Sequence, residues 1–182
     1  MVLQNIAVFL ISTLFSLYIG AVLLRFLLAL VRADFYNPLS QFLVKITNPV
    51  LVPLRRFIPP MGKIDTASLV LAFTLKLVAV LLLMAIQGVD AGFIAILLAV
   101  IADLIRTVVW IFMIALIIQV IMSWVGNSYG NPMASLLDSL TAPLLNPIRK
   151  VVPLIGMVDL STLVAILLLQ VVLIALSGFP NI

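Results

Sequence analysis

Three charged residues lie inside long apolar runs: Lys76 in the run 67–87, and Asp103 and Arg106 in the run 93–124. A charge at the centre of a bilayer is expensive unless it is paired, so such groups serve as a mutual clasp between helices or as the lining of an ion or proton path. Arg106 follows Asp103 by one helical turn on the same face. Lys76 lies about 14 Å along its run and Asp103 about 15 Å along its own. In antiparallel neighbours crossing a core of about 30 Å, those depths match. Three readings stand side by side: a packing clasp, a water-lined polar path, or spans placed so that Asp103 and Arg106 meet an interface.

A second group of chemistry-bearing residues lies between the apolar runs. Arg55-Arg56 and Arg149-Lys150 are adjacent cations, suited to lipid phosphate or to an acidic partner. Asp65 and Asp159 stand just before apolar runs, where an acid accepts from orphan backbone N–H groups and suits the positive helix end. Cysteine, histidine and glutamate are absent, and all six acids are aspartate. Disulfides, thiol chemistry, histidine–metal sites and triads built on His or Cys are therefore excluded. No nucleophile–base pair, metal set or phosphate-binding glycine loop is visible. The expectation is no catalytic residue, no metal and no cofactor.

These residues belong to two copies of one segment. Asn37–Asp65 reads NPLSQFLVKITNPVLVPLRRFIPPMGKID, and Asn131–Asp159 reads NPMASLLDSLTAPLLNPIRKVVPLIGMVD, without a gap at a constant offset of 94 (131 − 37). Asn37, Pro38, Gly62 and Asp65 recur as Asn131, Pro132, Gly156 and Asp159. Each copy opens with an Asn N-cap and a Pro at the first helical position. Leu39, Phe42, Leu43 and Ile46, matched by Met133, Leu136, Leu137 and Leu140, fall at i, i+3, i+4, i+7. That spacing predicts an amphipathic helix lying in the membrane interface. Pro49 and Pro143 are expected to stop it, and the following Pro53/Pro147 and Pro59/Pro153 to divide the rest into short pieces. Gly62 and Gly156 supply turns. The offset also pairs Lys76 with Gln170, placing a polar group at mid-depth in both units.

The chain is 65% hydrophobic and 9% charged, with a mean hydropathy of +1.41, against about 25% charged in soluble domains. Apolar runs at 3–28, 67–87, 93–124 and 160–178 predict an all-α membrane protein of about four transmembrane helices. It divides into two tandem parallel units, 1–90 and 91–182, each span–amphipathic loop–span, with loops 34–66 and 127–159. The N-terminus has no basic n-region or small-residue cleavage site, so its first run reads as a retained span. Residues 93–124 would reach about 48 Å as one helix, so that run must tilt, kink or project. An even number of spans per unit puts both loops on one side. The first loop carries Arg32, Lys45, Arg55, Arg56 and Lys63, the second Arg149 and Lys150, and the turn at 88–92 only Asp90. The positive-inside bias then places both loops in the cytoplasm. The net charge of +4 is small and flanks apolar runs, which points to membrane phosphates and not to nucleic acid.

The pattern N-P-[LM]-x9-[NA]-P-x3-P-[LI]-R-[RK]-x2-P-x2-G-x-[IV]-D, present twice between hydrophobic spans, resembles the YggT family of integral membrane proteins, whose relatives include bacterial YlmG and plastid-encoded proteins. The match covers nearly the whole chain. Two-repeat versions look like those of Gram-negative bacteria, which implies the inner membrane. The resemblance implies links to osmotic stress, ion homeostasis and, in plastids, cytochrome maturation. It carries over no catalytic residue set.

Two functions follow as expectations. The first is a non-enzymatic membrane scaffold or assembly factor whose loops engage lipid and an unidentified membrane or cytoplasmic protein. The second is an ion channel or transporter component built on the mid-membrane charges. Few polar positions per span argue against a monomeric pore, so that role would call for a homo-oligomer.

Overall fold

A computed structural model describes residues 1–126, 131–152 and 159–179. Six helices run through them: α1 (Val2–Leu30), α2 (Pro38–Phe57), α3 (Thr66–Gln87), α4 (Phe93–Val125), α5 (Pro132–Arg149) and α6 (Leu160–Leu176). No strand is present among the described residues, where a single isolated bridge joins Met61 and Ile64.

Helices α1, α3 and α4 are long and apolar enough to cross a membrane. They are apolar all round, as helices in a hydrocarbon solvent must be. The expected fourth span is shorter: α6 has 17 residues, about 25 Å, at the lower bound for crossing. Its counterpart α3 has 22 residues. Helix α4 is one continuous helix of 33 residues, with no proline to kink it. At about 50 Å it exceeds the hydrocarbon core and must tilt or project.

The repeated segments depart from expectation. The prolines do not break them: α2 passes through Pro49 and Pro53, and α5 through Pro143 and Pro147. A proline inside a helix removes one backbone bond and costs about 3 kcal/mol or more. Here the spacing of four puts each pair on one face. Pro49, Pro53, Pro143 and Pro147 are all exposed, so the freed carbonyls face the outside of the bundle. The opposite face holds the helix down. Leu51 and Leu145, equivalent at the offset of 94, are both fully buried. Leu51 packs against Ile19, Val22 and Leu23 of α1 and Ala67, Leu71 and Ala72 of α3. Leu145 packs against Val109, Met113 and Leu116 of α4 and Ala165 and Leu169 of α6. Each amphipathic helix is thus wedged between the two spans of its own unit.

Between units, α4 is the hub, packing on α1, α3, α5 and α6. One core cluster joins Leu27 and Leu28 of α1, Leu43 of α2, Ala115 of α4, and Leu136, Leu137 and Leu140 of α5. Asn37 Nδ2 donates to Pro132 O at 2.6 Å, tying the starts of α2 and α5 together. Both repeated segments therefore lie at the same end of the bundle. At the other end Gln4 Nε2 donates to Ile86 O at 2.7 Å and sets the register of α1 against α3.

Candidate functional site

The charges inside the spans converge. Lys76 Nζ lies 2.7 Å from Asp103 Oδ2, and Arg106 pairs with Asp103 Oδ1. Side-chain exposure is 18% for Lys76, 12% for Asp103 and 19% for Arg106. Lys76 is the eleventh of the 22 residues of α3, so the group sits midway along that helix. Arg106 also donates to Leu176 O at 3.0 Å. Leu176 is the last residue of α6, where the final carbonyls lack intrahelical donors and a basic side chain can satisfy them. One aspartate thus ties α3 to α4, and one arginine ties α4 to the end of α6. Both carboxylate oxygens carry a cation. Gln170, the counterpart of Lys76, is exposed on α6 and stands apart from this group.

A second polar contact occurs twice, and sequence reading passed over it. Arg25 Nη1 donates to Thr47 Oγ1 at 2.5 Å. At the offset of 94, Thr141 Oγ1 donates to Gln119 Oε1 at 3.0 Å. Each threonine is fully buried; Thr47 Oγ1 donates in turn to Leu43 O at 2.6 Å, and Thr141 Oγ1 shares its one hydrogen between Gln119 Oε1 and Leu137 O, the latter at 2.9 Å. Each pair latches the amphipathic helix to the first span of its unit. Arg25 looks in sequence like an interfacial anchor, yet it is only 6% exposed. The available signal was the pairing of Arg25/Gln119 with Thr47/Thr141 at the repeat offset. The second latch replaces a charge with an amide, and Gln119 Nε2 then donates to Asp138 Oδ1 at 2.5 Å.

A third pair of contacts closes each repeated segment. Arg55 forms an ion pair with Asp65, and Arg149 Nη2 lies 2.9 Å from Asp159 Oδ2. Burial alone would raise both carboxyls. Hydrogen bonds from Arg55 and Ser68 outweigh it at Asp65, and those from Ser161 and Arg149 at Asp159, so both are held below the ordinary carboxylate range. The two aspartates precede their spans differently. Asp159 accepts from Ser161 N at 2.9 Å, whereas Asp65 takes Ser68 Oγ at 2.7 Å and makes no backbone cap bond. Arg56 and Lys150 are exposed and carry no ion pair among the described residues.

At the segment starts, Asn37 Oδ1 accepts from Leu39 N at 3.0 Å and Asn131 Oδ1 from Met133 N at 2.9 Å, with Pro38 and Pro132 next in line. Gly62 takes φ +63° in a tight turn closed by Met61 and Ile64, a left-handed conformation that favours glycine. Pro153, Gly156 and Pro180 lie outside the described residues. A cleft of about 910 Å³ opens between α4, α5 and α6, its polar lining formed by Gln119, Ser123, Asp138, Arg149, Asp159 and Thr162.

The model of the CCB3/YggT family matches residues 4–86 and again 98–179. The chain belongs to that family. The two matched segments fall on the two units described above, so this YggT-family chain carries the family module twice. It is 45% identical over 188 residues to an uncharacterized protein of Pseudomonas aeruginosa, covering 98% of this chain and 95% of the relative. An uncharacterized protein of Vibrio alginolyticus is 44% identical over 169 residues, covering 92% and 91%. The uncharacterized protein YggT of Escherichia coli K12 is 39% identical over 170 residues, covering 93% and 88%. No solved structure matches the chain.

Proposed function

We propose that this YggT-family protein is a non-enzymatic scaffold of the bacterial inner membrane, presenting two amphipathic helices at the cytoplasmic face to lipid and to a membrane or cytoplasmic protein. The observation that carries this reading is the triple fastening of each helix: a leucine wedge, a threonine latch and an arginine–aspartate closure. Such repeated fixation suits a surface held in one shape for recognition. Arg56 and Lys150, outside the ion pairs among the described residues, join the exposed Lys45 and Lys63 as cations available to lipid phosphate or an acidic partner, each worth about 1 kcal/mol near an anionic leaflet. The cytoplasmic orientation follows from the basic loops, and the link to osmotic stress from the family resemblance alone.

The competing reading is a channel or transporter component using Lys76, Asp103 and Arg106. The clasp geometry weighs against it, because the acid is already held by two cations and Arg106 is spent on capping α6. Flux of K⁺, Na⁺ and H⁺ across proteoliposomes separates the two. The expected result is leakage no faster than from protein-free vesicles. Flux that disappears in Lys76→Met would contradict the scaffold reading.

A further inference from the structure

The repeat offers a test that few chains allow: each helix face in one unit has a counterpart in the other. One part of the contact between the two units is the joint of α3 with α4. Val80 and Met84 of α3 and Ile96 and Val100 of α4 form that core, with Phe73, Leu77 and Leu104 packed against it and the Lys76–Asp103 pair beside it.

Shifted forward by 94, the α3 side of this contact becomes a face of α6, Leu167, Gln170, Val171 and Ile174, with Met84 falling on Gly178 just past the helix end. Shifted back by 94, the α4 side becomes a face of α1: Val2, Ile6, Phe9 and Leu10. Both counterparts are uncovered. Leu167, Val171 and Ile174 are 57%, 61% and 63% exposed, and Val2, Ile6, Phe9 and Leu10 are 75%, 50%, 65% and 50% exposed. The chain therefore ends on one side with the α3-like half of the joint and on the other with the α4-like half.

We infer that the uncovered faces join in a head-to-tail contact, α6 of one copy against α1 of a second copy of this chain, repeating between molecules the α3–α4 joint within each. Lipid could cover purely apolar stripes, but Gln170 is exposed on the α6 face. A side-chain amide there gains by hydrogen bonding to another helix. The reverse of the shift that turns Lys76 into Gln170 turns Arg106 into Ser12, whose hydroxyl donates to O of Phe9, the counterpart of Asp103, at 3.0 Å and can accept from the amide. A charged joint inside the chain thus becomes a neutral joint between chains. Parallel units in one membrane present these faces in the same orientation, and a head-to-tail contact of this kind closes into a ring if its rotation permits.

The native chain has no cysteine, so directed cross-linking in intact membranes tests the contact. Two differently tagged full-length copies are co-expressed, one Ile174→Cys and the other Ile6→Cys, the counterparts of Val80 and Val100. Oxidation should join the two tags. Leu163→Cys, on an exposed part of α6 whose counterpart Leu69 is also exposed, should give no product with Ile6→Cys. Adding Gln170→Leu to the Ile174→Cys copy should lower the yield about threefold, the loss of one interhelical hydrogen bond. Absence of the Ile174–Ile6 product, with both copies present in the membrane, overturns the contact. So does equal cross-linking through Leu163→Cys, or a product formed only between two Ile174→Cys copies.

Discussion

Asp103→Asn is expected to cause the largest loss of stability of any single charge change in the protein. The substitution leaves Lys76 and Arg106 without their shared anion. Removing one partner of a buried pair costs about 3–5 kcal/mol, because the uncompensated charge remains. The measurement is the unfolding midpoint of the purified protein in a denaturing-detergent titration followed by circular dichroism. Combining Lys76→Met with Asp103→Leu should return part of the loss, since one cation leaves with the acid. The return should be incomplete, because Arg106 keeps only Leu176 O of its two present partners. Equal damage from the double and single changes would remove Lys76 as a structural partner.

The two threonine latches should answer unequally to the same substitution. Thr47→Val takes from Arg25, which is 6% exposed, its only hydrogen-bond acceptor among the described residues. Hydrogen bonds to charged groups contribute about 1.5–3 kcal/mol, against about 0.5–1.5 kcal/mol for neutral ones. Thr141→Val removes a neutral bond to Gln119, which retains Asp138. Both changes also delete a bond to the preceding helical turn, so that part cancels in the comparison. Thr47→Val should therefore lower the midpoint clearly more than Thr141→Val. Equal shifts would mean that Arg25 is held by packing and not through its charge.

Much of this architecture was legible in the sequence because its strongest signals are local. Apolar runs placed the spans to within a few residues, and Asn37-Pro38 and Asn131-Pro132 marked the starts of the amphipathic helices. The prolines misled because the penalty of an interior proline is a local quantity, whereas burial of Leu51 and Leu145 between two spans is not. A Pro pair four residues apart, with the buried leucine between its members, leaves the packing face intact. Arg25 was missed for the converse reason. Near the end of a span a lone arginine reads as an anchor, and only the partner at Thr47, brought in by the fold, makes it a buried contact. The shortness of α6 was half visible in Gly178 and Pro180. The capping of its last carbonyl by Arg106 required the three-dimensional neighbourhood of α4.

The central claim is that both repeated helices stand at one membrane face, the cytoplasmic one, as a single platform. Single cysteines at Gln41, Asp90 and Ser139, on the otherwise cysteine-free chain, test it in cells whose outer membrane has been permeabilised. An impermeant thiol reagent added from outside is expected to label the Asp90 position alone, with Gln41 and Ser139 reacting together only once the inner membrane is opened. Labelling of Gln41 from outside would reverse the orientation, and labelling of Gln41 and Ser139 from opposite sides would contradict the platform itself.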